Sequence, residues 1–373
     1  MGKIKSNSYV PLSKQIKEKL LEDIRKGRIL PGEKIPSEEK LAEEFGISRM
    51  TVREAIIELI NENLLFRMPG KGTFLTQEFN NGQNTIKDLI VIKVPNLRNS
   101  FYFQIISGIQ KVLSREGIEF TIFSERDNPI EEKIYLRKIL KEKRKGLFLI
   151  SSYYTHTNRS TVDKISKEIP IVIIDVEIPG ISADIVMSDD YKGGFLITEH
   201  LIELGNKKIL HLLGPVGDSS ADERRNGYIN AIEKYKIKEK IIRFTKWSLE
   251  DGYFETKKYF LNYNADAIFA CNDEVAVGAY KALRELNLRV PEDISLVGYG
   301  NMEVGQILES PLTTVDQQAE KIGESAAELL MDKIKGKRKF SDIKKVKIDT
   351  KLIIRKSCGI YEKGVKNGNK NTG

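Results

Sequence analysis

Three residues between positions 49 and 53 carry side chains of the kind that proteins use to contact nucleic-acid bases. Arg49, Thr51 and Arg53 provide two guanidinium groups and a hydroxyl, all of which donate hydrogen bonds to base edges or phosphates. Ser48 precedes them and is a residue type that starts helices, so the group belongs to the first turns of a helix. The pattern favours recognition of base edges by hydrogen bonding.

Two short helices must hold these side chains in place. Ser37 is a candidate cap for the first helix, with Glu38 and Glu39 in its first turn, and Gly46 ends it. Apolar residues recur in the second helix at helical spacing; they are Val52, Ala55, Ile56, Leu59 and Ile60. Two helices joined by a glycine-containing turn predict a helix-turn-helix, whose second helix enters the major groove of DNA. An earlier helix over residues 9–26 should brace both.

A glycine-rich turn follows the helices. Leu64–Arg67 and Thr73–Leu75 flank Met68-Pro69-Gly70-Lys71-Gly72, which predicts a hairpin whose turn brings Lys71 to a phosphate. We expect this hairpin to act as a wing. The residues that we expect to contact DNA are Ser37, Lys40, Ser48, Arg49, Thr51, Arg53, Arg67, Lys71, Gly72 and Thr73.

Three motifs over roughly residues 9–76 resemble one family of winged-helix domains. PSE-x-x-LA, SRMTVREA and GKGTF occur in the order found in the gluconate-repressor (GntR) family. Many members have an arginine at the place of Glu39 and use it on DNA. The resemblance therefore implies that Arg49 and Arg53 carry more of the base contacts here, or that Lys40 substitutes.

The whole-chain composition is that of a globular protein of two or three domains. The 373 residues carry a net charge of +8, which fits a nucleic-acid partner without proving one. Residues 335–356 hold 10 Lys and Arg against 2 Asp and Glu, a run expected to be a solvated face. Cys271 and Cys358 lie far apart, and no apolar run reaches transmembrane length. We expect a cytoplasmic protein that does not associate with a membrane and that binds no metal or cofactor.

The remainder of the chain alternates apolar runs with amphipathic stretches. Such alternation predicts parallel strands buried on both faces, and the number of strands favours two similar α/β subdomains with a cleft between them. The apolar runs are DLIVIKV, IEFTIF, GLFLI, IPIVIID, DIVM, KILHLL, DAIFA and ISLVG. The predicted boundaries are a DNA-binding domain at 1–76, a linker at 77–87, an effector-binding and dimerisation domain at 88–360 and a disordered tail at 361–373. The subdomains are placed at about 88–187 plus 316–345, and 188–315 plus 346–360.

Seven landmarks in this body resemble the effector domain of the lactose/galactose-repressor family, which is similar to periplasmic sugar-binding proteins. They are SDDYKGG, HLIELGNKKILHLLGP, ERRNGYINAI, DAIFACNDEVAVGAYKAL, VPEDISLVGY, SPLTTVDQ and LIIRKS. A GntR-type head on such a body is the layout of the arabinose-repressor subgroup. The resemblance implies a periplasmic-binding-protein-like fold with a ligand cleft.

The same resemblance implies a set of effector-binding residues, namely Asn99, Phe101, Tyr102, Asp175, Arg224, Trp247, Asn272 and Gln317. Asp175 also ends an apolar strand, where ligands bind in α/β sheets. Donors and acceptors around aromatic rings suit a polyol, because each buried hydroxyl needs a partner. Asp273, Asp189 and Asp190 are interpreted instead as helix caps or turn residues. Gly300 stands where the family usually has an aspartate; either Asn301 or water fills the gap, or the ligand differs, or small-molecule binding is lost.

Three classes of function fit these patterns to different degrees. The first is a sugar-responsive repressor of pentose-type utilisation genes that leaves double-stranded operator DNA when an effector such as L-arabinose binds. The second, an enzyme, lacks a P-loop, a nucleophile elbow and a metal-binding cluster in the sequence. The third is a sugar-binding protein that does not bind DNA, or a regulator whose effector is not a free sugar. We expect a homodimer, with the helices at 322–334 and 275–286 as interface candidates unless their apolar faces are core.

Overall fold

The computed structural model describes residues 11–62, 64–76, 89–124, 128–150 and 157–359. The chain divides into two compact units, Met1–Asp88 and Leu89–Gly373. The linker predicted at 77–87 and the tail predicted at 361–373 lie outside the described residues, so both stay predictions.

The first unit contains three helices and a two-stranded hairpin. Its elements are α1 (Leu12–Arg25), α2 (Glu38–Phe45), α3 (Arg49–Asn61), β1 (Leu65–Met68) and β2 (Gly72–Leu75). The strands are antiparallel, and Met68 faces Gly72 beside the turn. Ile16, Leu20 and Ile24 of α1 are buried against α3, as their four-residue spacing predicts. The helix-turn-helix and the wing are therefore present in the expected order.

The helix boundaries of this unit follow from its capping residues. The Ser37 hydroxyl accepts a hydrogen bond from the Lys40 amide at 3.2 Å and starts α2. Gly46 ends α2 with a φ of 66°, a left-handed conformation that glycine adopts without strain. The Ser48 hydroxyl accepts from the Thr51 amide at 3.1 Å and starts α3. The two caps fix where the reading helix begins.

The second unit is built on two parallel sheets. The strands of this unit are β3 (Ile90–Val94), β4 (Phe120–Ser124), β5 (Gly146–Ile150), β6 (Ile171–Ile174), β7 (Asp184–Ser188), β8 (Ile209–Leu213), β9 (Ile241–Phe244), β10 (Ala267–Ala270), β11 (Ser295–Val297), β12 (Thr314–Asp316), β13 (Lys345–Ile348) and β14 (Lys351–Ile353). The first sheet has the strand order β13-β7-β6-β5-β3-β4 and the second has the order β11-β10-β8-β9. Every predicted apolar run forms a strand, and the predicted fold class is confirmed.

Nine helices of the described ranges accompany these strands. They are α4 (Ser100–Arg115), α5 (Pro129–Glu142), α6 (Arg159–Glu168), α7 (Asp190–Glu203), α8 (Ser219–Lys234), α9 (Leu249–Phe260), α10 (Asp273–Glu285), α11 (Glu303–Gln306) and α12 (Ala319–Ile334). Among the described residues, no helix has both the length and the apolar character needed to cross a bilayer.

The chain passes between the two sheets at three places. It leaves the first sheet after Ser188, returns to it after Asp316 and leaves it again after Ile348. The subdomain boundary predicted at 345/346 is wrong, because it cuts through β13, and all of that strand pairs with β7 of the first sheet. The polar, lysine-rich sequence of this edge strand hides it from a search for apolar runs.

The two helices proposed as interface candidates are core elements. Ala326, Ala327 and Leu330 of α12 are fully buried, and α12 packs against α4. Val275 and Leu283 of α10 are likewise fully buried beneath the second sheet. The interface prediction for these faces is wrong, because neighbouring elements of the same chain already cover them.

Half of the ten cations in the basic run at 335–356 are paired with acids from neighbouring elements. Five of its cations form ion pairs: Lys335 with Glu116, Lys337 with Asp332, Arg338 with Asp184, Lys345 with Glu177 and Lys347 with Glu223. Two of these lysines lie on the edge strand β13, where charge discourages pairing with another sheet. The run is a solvated face, as its composition suggests.

Candidate functional site

The predicted DNA-contact residues divide into exposed cations and residues that build the local structure. Arg53, Lys40 and Lys71 are exposed and have no ion-pair partner in the described ranges. The hydroxyls of Ser37 and Ser48 serve as helix caps. The Thr51 hydroxyl, within α3 itself, lies 2.8 Å from the Ser48 Oγ.

Two wing residues of the predicted set have structural roles. Thr73 is only 9% exposed, so its side chain packs within the wing, and its contact with DNA stays a prediction. Its carbonyl accepts a hydrogen bond from the Ile35 amide, which ties the wing to the segment before α2. Gly72 has a φ of 123°, and a Cβ there would lie 2.3 Å from the Lys34 side chain. The turn therefore needs glycine at this position.

Two arginines of the same surface are bound to carboxylates of α2. Arg49 Nη1 lies 2.7 Å from Glu39 Oε1, and Arg49 Nε lies 3.5 Å from Glu38 Oε2. The second oxygen of Glu38 pairs with Arg67 of β1. One carboxylate thus joins the start of α2, the start of α3 and the wing.

The second unit contains a cleft of about 900 Å³. All eight residues predicted to bind an effector line it: Asn99, Phe101, Tyr102, Asp175, Arg224, Trp247, Asn272 and Gln317. All but Gln317, which follows β12, come from segments that follow strands of the two parallel sheets, where the carboxyl ends of the strands form a crevice. Residues more than 200 positions apart in the sequence therefore meet in one site.

Arg224 is the most constrained side chain of the cleft. It is 4% exposed, its Nε donates to Asp190 Oδ1 at 2.9 Å, and its Nη1 donates to the Cys271 carbonyl at 2.7 Å. Its guanidinium carbon lies 3.9 Å from the Tyr299 ring centroid and 5.4 Å from that of Trp247. The interpretation of Asp190 as a turn or cap residue is wrong, because Asp189 caps α7 and Asp190 balances the arginine's charge.

A chain of buried hydrogen bonds connects this ion pair to a crossing segment. Gln317 Nε2 donates to the Ser188 hydroxyl at 3.0 Å. That hydroxyl donates to Asp190 Oδ2 at 3.1 Å. Ser188 and Gln317 both stand where the chain crosses between the sheets. The position of Arg224 is thus linked to two of the three crossings.

Asp175 is one of two cleft residues, with Tyr299, that bury a polar atom without a hydrogen-bond partner among the described residues. The Asp175 side chain is 9% exposed, and the unpartnered atom is its Oδ1. Burial, the largest cause, and the negative charges of Asp190 and Asp218 together raise the pKa of this carboxyl to about 8, against a smaller lowering by Arg224. At neutral pH the group is therefore largely protonated, and it offers a donor and an acceptor to a ligand.

Both ends of the Asn272 side-chain amide are bonded within the protein, and one of them holds the backbone of Trp247. Its Oδ1 accepts from the Val275 amide at 2.7 Å as the cap of α10, and its Nδ2 donates to the Trp247 carbonyl at 3.0 Å. The interpretation of Asp273 as that cap is wrong by one residue. Asp273 instead accepts from the Met302 amide at 2.6 Å and from the Thr314 hydroxyl at 2.7 Å. Asn272 and Asp273 therefore fix the backbone at Trp247 and Met302, which line the cleft.

Comparison with known proteins places both units in families. The model of bacterial regulatory proteins of the gntR family matches residues 12–75, and that of periplasmic binding protein-like domains matches residues 198–358. An arabinose metabolism transcriptional repressor from Halalkalibacterium halodurans is 31% identical over 96% of this chain and 98% of its own length. This protein belongs to the gntR-type transcriptional repressors that carry a periplasmic-binding-protein-like domain.

Two further similarities support this membership. An arabinose metabolism transcriptional repressor from Geobacillus stearothermophilus is 28% identical over 93% of this chain and 98% of its own length. A LacI family transcriptional regulator from Enterococcus faecium, solved with bound ribose, is 27% identical with a TM-score of 0.63. The match covers 72% of this chain and 98% of the chain in that structure. Proteins similar to this gntR-type repressor along its whole length are thus transcriptional regulators.

Asn301 does not replace the aspartate side chain that is missing at Gly300 in this gntR-type repressor. Asn301 Oδ1 accepts from Arg355 Nη2 at 2.6 Å, and Met302 lines the cleft instead. The idea that Asn301 replaces the missing carboxylate is therefore wrong. Gly300 has a φ of 120°, which L-residues rarely adopt, although a Cβ there would meet nothing closer than 3.6 Å. The local backbone is suited to glycine.

The cleft also contains residues that were not predicted from the sequence. Asn96, Arg98, Asp218, Ser220, Lys246, Glu250, Glu274, Tyr299 and Met302 contribute to its wall. Most of them follow a strand by a few residues, as Asp218 follows β8 and Lys246 follows β9. Their position after strand ends was the available signal, because that edge of a parallel sheet binds ligands.

Proposed function

We propose that this gntR-type repressor responds to an uncharged sugar, of which L-arabinose or another pentose is the first candidate, and leaves its operator when the sugar binds. The observation that carries the proposal is the convergence of all eight predicted effector residues on one cleft. The arabinose repressors at 28% and 31% identity, and the ribose-bound structure at 27%, support a sugar of this size.

The chemistry of the cleft favours a neutral polyol over a sugar phosphate. Arg224 is the buried cation, and Asp190 already balances its charge. Asp218, Glu250 and Glu274 add negative charge to the wall, against the exposed Arg98 and Lys246. Trp247 offers an aromatic face to sugar C–H groups, while Asp175 and the remaining N–H groups of Arg224 can pair with hydroxyls.

A homodimer on a palindromic operator completes the proposal, because one winged helix reads only a few base pairs. Exposed apolar residues lie near one edge strand of each sheet, β4 in the first and β9 in the second. Phe103, Ile122 and Ile130 are 66%, 41% and 70% exposed on α4, β4 and α5, around the edge of the first sheet. Phe244 and Phe254 are 53% and 64% exposed on β9 and α9, at the edge of the second. We assign the dimer contact to these edges.

A ligand screen by thermal unfolding tests the effector. The full chain is heated with L-arabinose, other pentoses, hexoses and the corresponding phosphates. A ligand at 100 times its Kd should add about 2.7 kcal/mol to the free energy of unfolding. We expect a neutral pentose to stabilise the protein and to release labelled operator DNA in a gel-shift assay. Stabilisation by phosphorylated sugars alone would support the alternative, a regulator whose effector is not a free sugar.

A further inference from the structure

An arginine and a glutamate form an exposed pair at the start of the DNA-reading helix. Arg49 is the first residue of α3, and its Nη1 lies 2.7 Å from Oε1 of Glu39 in α2. Their side chains are 62% and 73% exposed. A guanidinium with five donors and a carboxylate with acceptors only therefore lie side by side on this surface.

A largely buried neighbour, Glu38, fixes the geometry of the Arg49–Glu39 pair. Glu38 contacts Arg49 Nε with one oxygen and Arg67 with the other, and its side chain is only 15% exposed. Glu39 differs from Glu38, because Arg49 is its only charged partner among the described residues. The structure thus leaves most of the Glu39 carboxylate open to whatever approaches α3.

The ion pair and the place of Glu39 in the first turn of α2 stabilise the fold only slightly, because the carboxylate is exposed. A negative charge on a DNA-facing surface is also repelled by phosphates. A G·C base pair, however, presents complementary groups in the major groove. Guanine O6 and N7 accept from arginine, and the N4 amino group of cytosine donates to a glutamate or aspartate.

We propose that Glu39 is a specificity-determining residue, which together with Arg49 reads one G·C base pair of the operator. Arg49 donates to the guanine, Glu39 accepts from the cytosine N4 amino group, and Glu38 positions the arginine. The proposal rests on DNA binding by the winged unit and adds the base pair that the two side chains select. It also explains why an acidic residue is tolerated beside the cations of the reading helix.

The test begins with selection of binding sequences from a random duplex library by the full-length wild-type protein. Affinities are then measured for the selected site and for versions with each base pair replaced. Glu39→Gln should relax the preference at one G·C pair about tenfold. Arg49→Ala should relax the same pair, and the double variant should relax it little further. Glu44→Gln removes another exposed charge from the same helix and should change no preference.

A modified base provides an independent measurement. Replacing the guanine of that pair by 7-deazaguanine removes N7, and should weaken the wild type but not Arg49→Ala. Two results would overturn the proposal. One is a Glu39→Gln variant that binds every sequence more tightly by the same factor, since the carboxylate then only repels DNA. The other is relaxation of different base pairs by the Glu39 and Arg49 variants.

Discussion

Arg224 Nε and Asp190 Oδ1 lie 2.9 Å apart, although 34 residues separate them and they belong to different helices. Both side chains are 4% exposed. The remaining oxygen of Asp190 is held by Ser188, and Ser188 is held by Gln317 at a crossing between the sheets. The cleft arginine and two segments that cross between the sheets therefore belong to one buried network.

Loss of the Asp190 charge should destabilise the protein. Asp190→Asn leaves a buried guanidinium without its counter-charge, which typically costs about 3–5 kcal/mol of unfolding free energy. Urea denaturation of the full chain measures this change. Asp222→Asn is the matched control, because Asp222 pairs with Arg225 in the same helix while both side chains are about one-third exposed. An Asp190 variant as stable as the control would contradict the prediction.

Removal of Arg224 should abolish the effector response and leave operator affinity nearly intact. Arg224 belongs to the second unit, and the DNA-contact residues belong to the first. Operator affinity is measured with and without the stabilising sugar for Arg224→Ala and for Arg225→Ala, whose side chain is 31% exposed. Folding of each variant is checked by circular dichroism. A normal response in a folded Arg224→Ala protein would refute the proposed cleft.

The stability of the protein should carry a pH signature of Asp175. Its pKa is raised from 3.8 to about 8, so the unfolded chain releases this proton at lower pH than the folded one. The stability of the wild type relative to Asp175→Asn should therefore be greatest below about pH 4, fall as pH rises towards 8 and change little above that. Denaturation of both proteins at several pH values gives the difference. A constant difference would mean that the carboxyl titrates normally.

Two cations of the DNA surface should have distinguishable effects. Arg53→Ala should weaken operator binding by about 1–3 kcal/mol if the lost contact is bidentate to a base. Lys71→Ala should weaken specific and non-specific DNA alike and make the salt dependence shallower, because it removes a phosphate contact. Binding isotherms at several salt concentrations separate the two. Unchanged operator affinity in Arg53→Ala would argue against α3 as the reading helix.

Charged residues at both sheet edges should separate the proposed dimer. Phe103 and Phe254 are about two-thirds exposed, and a glutamate at each position would place like charges across a symmetric contact. Light scattering should give the mass of a monomer for the double variant and of a dimer for the wild type at micromolar concentration. Ile307→Glu is the control, since Ile307 is 83% exposed away from those edges. A monomeric wild type would end the assignment.

Elements with local signals could be predicted from the amino-acid sequence. Ser37, Gly46 and Ser48 act within a few residues of the helices that they start or end, so their types and spacing are sufficient to predict the helix-turn-helix. Strands buried on both faces, such as β3 and β5, are continuous apolar runs and are equally visible. The order of family motifs then indicated which residues would line a cleft.

Tertiary structure alone decided the partners of those residues. Asp190 looks like a second cap beside Asp189 until α7 and α8 pack together and bring Arg224 to it. The apolar face of α12 could equally have been an interface, and only its packing against α4 made it core. Strands β12, β13 and β14 are short, and each is stabilised by a partner strand distant in sequence. Pairing over such distances depends on where the rest of the chain places both partners, and no local pattern records it.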